Sequence, residues 1–121
     1  MRLRFLFHFV AAAVGIAPMA AVAHAFLNQA VPPVDGTVTS SPKEIRLSFS
    51  EGVEPHFSGI ELATSDGRAI PTGAAIPEPG DDKQLVLVLP PLAPGRYKVS
   101  WHVVSVDTHR TEGAYTFAIA P

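Results

Sequence analysis

Asp107-Thr108-His109 sets a carboxylate and an imidazole two residues apart, and a third candidate donor stands at the far end of the chain. Ala21-Val22-Ala23, directly before His24, is the small-x-small pattern after which a signal peptidase cuts. Cleavage there frees the α-amine of His24. An N-terminal histidine grips a metal twice, through the amine nitrogen and ring Nδ1, closing one chelate ring. With Asp107 and His109 this makes an amine, two imidazoles and a carboxylate. Four such donors fill the tetragonal plane that Cu(II) favours. The amine must first lose a proton with a reference pKa of about 7.7–8.0, so binding weakens as pH falls. Ni(II) and Zn(II), lower in the affinity order for these ligands, bind more weakly. Ala23-His24-Ala25 is small-x-small too, and a cut after Ala25 would discard the histidine. The metal hypothesis rests on the earlier cut.

The segment before that cut has the anatomy of a secretory signal. Arg2 and Arg4 give a positive start, Phe5 to Ile16 is apolar apart from His8 and Gly15, and Pro18 loosens the helix ahead of Ala21. The expected division is a signal peptide over 1–23 and a single domain over 24–121. That length supports one core. The apolar run is short for a bilayer span and nothing later in the chain is long enough, so the sequence reads as an exported, periplasmic protein that does not itself span the membrane.

Of nine Lys/Arg, Arg2 and Arg4 fall in the leader, whereas all eleven Asp/Glu lie beyond it. A mildly acidic domain with no basic cluster argues against nucleic acid or anionic lipid as partner. Cysteine is absent. Thiolate zinc sites, redox dithiols and disulfide staples are therefore excluded, and the core must carry the fold. Both methionines, Met1 and Met19, leave with the signal, so no soft sulfur ligand for Cu(I) remains.

The elements that must position the donors read as β throughout. Ile45, Leu47 and Phe49 alternate with Arg46 and Ser48, and Ile60 and Leu62 flank Glu61. Ser65-Asp66-Gly67 closes the second strand in a turn, with Ala69 to Pro71 as its short partner. Thr72 to Lys83 reads as a Pro- and Gly-rich loop. Gln84 to Leu89 is apolar on both faces, the mark of a strand covered on both sides. Tyr97, Val99, Trp101 and Val103 share one face, and Tyr115, Phe117 and Ile119 another. Six or seven short strands bounded by Pro/Gly turns predict an all-β antiparallel two-sheet sandwich or squat Greek-key barrel. Strands 97–104 and 114–120 pair as a hairpin, which places Asp107 and His109 in its loop, 105–113, at one end of the sandwich.

The patterns His24-Ala25-Phe26-Leu27, Leu47-Ser48-Phe49-Ser50-Glu51 and Gly113/Tyr115/Phe117 occur in that order along the chain. Between the last two lies a run with Pro94, Gly95, Tyr97, Val99, Trp101, Val103, Ser105, Asp107 and His109. Together they resemble the CopC family of periplasmic copper-resistance proteins. The resemblance implies an immunoglobulin-like Greek-key fold holding one Cu(II) near one end, with His24, Asp107 and His109 as ligands. Glu51 corresponds to a glutamate near the copper, a distant ligand or an outer-shell group. The resemblance further implies a carrier or sequestering role in copper homeostasis and, as partner, an inner-membrane copper transporter of the CopD type. Some members carry a second, methionine-rich Cu(I) site; this chain resembles the Cu(II)-only branch. Where the family often has Gly and Pro, Thr108 and Arg110 stand, and Arg110 adds a positive charge that weakens binding slightly.

Other residues have plainer readings. His56, beside Pro55, reads as a surface-loop histidine, and His102 as solvated or partnered in the sheet. Trp101, Tyr97, Tyr115 and Phe117 are core residues. Ser105, Asp107 and His109 form no hydrolase triad, because no strand-to-helix nucleophile turn is present. Two competing functions stay in view. One is a copper monooxygenase with a histidine brace, which Asp107 in an equatorial position and the lack of a flat aromatic surface disfavour. The other is a metal-free Ig-like adhesion module, which a cut after Ala25 would favour.

Overall fold

A computed structural model of the chain describes residues 25–121. The expected leader, 1–23, and His24 lie outside them. Nine strands follow in order: β1 (Leu27–Val31), β2 (Thr37–Val38), β3 (Glu44–Phe49), β4 (Gly59–Thr64), β5 (Ala69–Ile70), β6 (Ile76–Glu78), β7 (Asp81–Val88), β8 (Gly95–Val104) and β9 (Arg110–Ile119). They form a four-stranded sheet, β1-β3-β7-β6, and a five-stranded sheet, β2-β9-β8-β4-β5. The result is the expected all-β sandwich. Among the described residues no helix is long and apolar enough to cross a membrane.

Alternation dictates which faces meet. Ile45, Leu47 and Phe49 of β3 and Leu85 and Leu87 of β7 are buried on one sheet. Ile60, Leu62, Val99, Val103, Phe117 and Ile119 are buried on the other. Each such side chain taken out of water contributes roughly 1.5–3 kcal/mol, which explains how a domain without cysteine holds together. Trp101 is half-buried at the edge of this core. It meets Phe49 edge-on, with ring centroids 5.3 Å apart. The ring fits only because its cross-strand partner is glycine: a Cβ on Gly113 would lie 2.6 Å from Trp101 Cζ2. Tyr97 at the start of β8 donates its hydroxyl to Ala93 O at 2.6 Å, the kind of corner bond found in immunoglobulin-like sandwiches.

Four details differ from the sequence expectation. The proposed 72–83 loop contains β6, which forms a hairpin with β7 around Gly80 (φ 80°). Pro77 is tolerated there because β6 is an edge strand. β1, whose five residues do not alternate, and β2, only two residues long, add to the expected six or seven strands. The β2–β9 pair is parallel, so the sheets are not wholly antiparallel. Last, β7 is covered on both faces only in part, since Val86 is buried but Val88 is 62% exposed.

Candidate metal centre

The β8–β9 hairpin is tighter than expected. Pairing runs to Val104↔Arg110, and the Ser105 amide donates to His109 O at 2.8 Å, leaving 106–108 as the loop. The Thr108 amide donates to Ser105 O at 2.8 Å, which closes a β-turn with Val106 and Asp107 at its centre. Thr108 then takes a left-handed conformation, φ 74°. This is the three-residue hairpin loop that normally wants glycine at the left-handed position. The turn throws both candidate donors to the same side: His109 Nδ1 lies 3.3 Å from Asp107 Oδ1. Two adjacent corners of a tetragonal plane with bonds of about 2.0 Å are about 2.8 Å apart, so a small adjustment suffices for one cation to take both. Both side chains are part-exposed, at 38% for Asp107 and 48% for His109, and so accessible to an ion from solvent.

Ser105, beneath this turn, is fully buried. Its hydroxyl donates to Asp107 Oδ1 and accepts from the His109 amide at 3.3 Å. The hydrogen bond from Ser105 is the largest reason the Asp107 carboxyl lies below the usual carboxylate range, with His109 adding to it. An ionised oxygen is therefore ready for a cation at neutral pH.

Two further segments converge on this end. Residues 52–54 run alongside the hairpin: Val53 bridges Ser105, the Val106 amide donates to Gly52 O at 3.0 Å, and the Glu54 amide to Val104 O at 2.8 Å. Glu51 precedes this segment. The start of the described chain is bound on both flanks. Phe26 N donates to Ser50 Oγ at 2.8 Å, Ser50 N returns a bond to Phe26 O at 2.8 Å, and Thr111 Oγ1 donates to Ala25 O at 2.9 Å. Ala25, 1% exposed, is part of the core.

The structure thus brings Asp107 and His109 together and places the Glu51 loop beside them. Among the described residues no three His, Asp or Glu side chains converge closely enough to hold a metal, so Glu51 does not complete a set with the pair. His56 is exposed on the short 3-10 turn Pro55–Phe57. The His102 ring lies over Gly59 on the outer sheet face, where a Cβ would approach its Cε1 to 2.8 Å. From sequence Thr111 has no assigned role, and Ser105 figures only in the family run and as a rejected triad member, not as an anchor. The only available signal was a hydroxyl residue two positions before Asp107 and another two after His109.

The described residues thus form a cysteine-free β-sandwich with an Asp-x-His hairpin turn at one end and Ala25 and Phe26 bound beside it. The CopC domain model matches residues 27–120, and the chain belongs to the CopC family. It is 46% identical over 98 residues to protein YobA of Escherichia coli K12, covering 80% of this chain and 79% of YobA. The fold is similar to the crystal structure of CopC from Methylosinus trichosporium OB3b, with TM-score 0.77 and 38% identity over 81% of this chain and 95% of that one. It is also similar to PcoC, a methionine-rich copper resistance protein from Escherichia coli. There the TM-score is 0.69, with 37% identity over 80% of this chain and 99% of PcoC.

Proposed function

We propose that this protein is an exported, periplasmic Cu(II)-binding protein of copper homeostasis and resistance. A signal over 1–23 is removed after Ala23, and the domain 24–121 holds one Cu(II) through the His24 amine and imidazole, Asp107 and His109. The observation that carries this reading is the double strap on residues 25 and 26. Ala25 is hydrogen-bonded to Thr111, two residues past His109, and Phe26 to Ser50, next to Glu51. His24 directly precedes Ala25 in the sequence. Two donors from the hairpin are too few for a Cu(II) plane, and an N-terminal histidine supplies the two that are lacking. Glu51 serves as an axial or outer-shell carboxylate.

Membership of a copper-resistance family supports the choice of metal, and the sulfur inventory supports the oxidation state. PcoC is methionine-rich, whereas this chain has two methionines, both in the leader, and no cysteine. The role is that of a carrier rather than an enzyme: with Asp107 in the plane, no equatorial position is left open for oxygen. The onward partner implied by the family resemblance is an inner-membrane transporter of the CopD type.

The deciding experiment titrates Cu(II) into protein beginning at His24 and into protein with one extra residue before it, followed by electron paramagnetic resonance. We expect one Cu(II) with a nitrogen-rich tetragonal spectrum in the first. The second should bind orders of magnitude more weakly, because the chelate is lost. Equal affinity, or a native N-terminus at Phe26, would overturn the assignment.

A further inference from the structure

We infer that Ser105 is the positioning residue of the metal centre, a buried hydroxyl that fixes the Asp107 carboxylate and the His109 backbone relative to one another. The inference rests on the Cu(II) reading above and deepens it.

Ser105 is the one fully buried polar side chain among the described residues. Burying a hydroxyl without partners costs roughly 1–3 kcal/mol on protein mutational scales, so such a group persists only where it is well used. The partners of this hydroxyl all belong to the two ligand residues. Its proton goes to Asp107 Oδ1, it accepts from the His109 amide at 3.3 Å, and its oxygen lies 3.2 Å from His109 O. A serine hydroxyl has one proton and two lone pairs, so a single group satisfies both sides at once. The Ser105 main chain holds the same residues, with its amide on His109 O and its carbonyl on the Thr108 amide, both at 2.8 Å.

The consequence is directional. Asp107 occupies the centre of an exposed turn, where a carboxylate would otherwise sample several rotamers. With Oδ1 held from below, the carboxylate stays against His109 Nδ1, and its remaining lone pairs are left for the cation. Groups that orient metal ligands in this way typically affect affinity 10–100-fold when removed. A merely structural serine would stabilise the hairpin and leave the copper spectrum untouched.

The test compares wild type, Ser105→Ala, His109→Ala and the matched pair Ser105→Thr and Ser105→Val, which have the same shape but differ in the hydroxyl. All start at His24. Competition against a Cu(II) chelator and electron paramagnetic resonance are read alongside circular dichroism. Ser105→Ala should still take up one Cu(II), with affinity down about 10–100-fold and altered g and hyperfine values; Ser105→Thr should lie nearer wild type than Ser105→Val. Wild-type affinity and spectrum in Ser105→Ala, with His109→Ala impaired, would leave the copper site standing and overturn the positioning role. If Ser105→Ala fails to fold, the matched pair decides, and identical behaviour of Thr and Val refutes the inference. Should His109→Ala also leave copper untouched, the Cu(II) reading itself falls and takes this one with it.

Discussion

The Thr111 hydroxyl donates to the Ala25 carbonyl at 2.9 Å, joining the start of the described chain to the strand that leaves the Asp107/His109 turn. The residues are 86 apart in sequence. Together with the bonds between Phe26 and Ser50, this side-chain hydrogen bond fixes how residues 25 and 26 lie beside the Asp107/His109 turn.

Thr111→Val keeps the shape and removes that donor. The apo protein should lose about 0.5–1.5 kcal/mol, the usual net worth of one hydrogen bond. Its Cu(II) affinity should fall about ten-fold, in the range for groups that orient ligands, whereas Thr111→Ser stays near wild type. Chelator competition and urea unfolding together check this. Reduced stability with unchanged affinity would separate the strap from the site.

The donors themselves should rank clearly. His109→Ala removes a nitrogen and Asp107→Ala a charged oxygen, and each should reduce Cu(II) affinity by more than ten-fold. Glu51→Gln should matter much less, because its carboxylate does not group with the pair. Asp107→Ala also removes one acceptor of the buried Ser105 hydroxyl, which keeps His109 O at 3.2 Å, so the apo fold should change little. Isothermal titration of the three variants gives the order. A Glu51→Gln loss equal to that of His109→Ala would mean that the equatorial set is misassigned.

Oxidation state offers an independent check. Residues 24–121 contain neither Met nor Cys, so a protein beginning at His24 has nothing soft for Cu(I). Ascorbate reduction should release the copper to a moderate Cu(I) chelator. Stoichiometric retention of Cu(I) would show that nitrogen and oxygen donors suffice.

Thr108 stores strain that glycine would relieve. A left-handed non-glycine residue costs about 1–2 kcal/mol, and the extra unfolded-state entropy of glycine returns roughly 0.5–1 kcal/mol of that. Thr108→Gly should therefore stabilise the domain by about 0.5–1 kcal/mol and preserve Cu(II) binding. Thermal unfolding with no upward shift would show that the Thr108 side chain compensates elsewhere.

Much of this architecture was legible because alternation survives where one strand face is buried: Ile45/Leu47/Phe49 and Tyr97/Val99/Trp101/Val103 read directly as strands. Reading failed where pairing continues without an apolar face. Arg110, Thr111, Glu112 and Gly113 look like loop, yet they extend β9, with Gly113 clearing space for the Trp101 ring. Pro77 and Gly80 disguised an edge hairpin in the same way. At the site, Asp107 and His109 could be found because both donors lie in one turn of the chain. Their anchors could not, since Ser105 and Thr111 acquire meaning only from what the fold brings to their hydroxyls.

Tyr115 gives the fold a defined alkaline limit. Its hydroxyl donates to Pro32 O at 2.9 Å in the interior, and burial pushes its pKa up to about 12 from an ordinary value near 10. A folded pKa above the unfolded one contributes stability that is fully present below about pH 10 and lost as pH rises through about 12. Urea unfolding of wild type should accordingly weaken across that window. Tyr115→Phe lacks the ionisable hydroxyl. It should be less stable at pH 7 by about 1 kcal/mol, having left the Pro32 carbonyl without its donor, but should lose less between pH 10 and 12. An identical alkaline decline in both proteins would assign the effect to other groups and remove Tyr115 from the account.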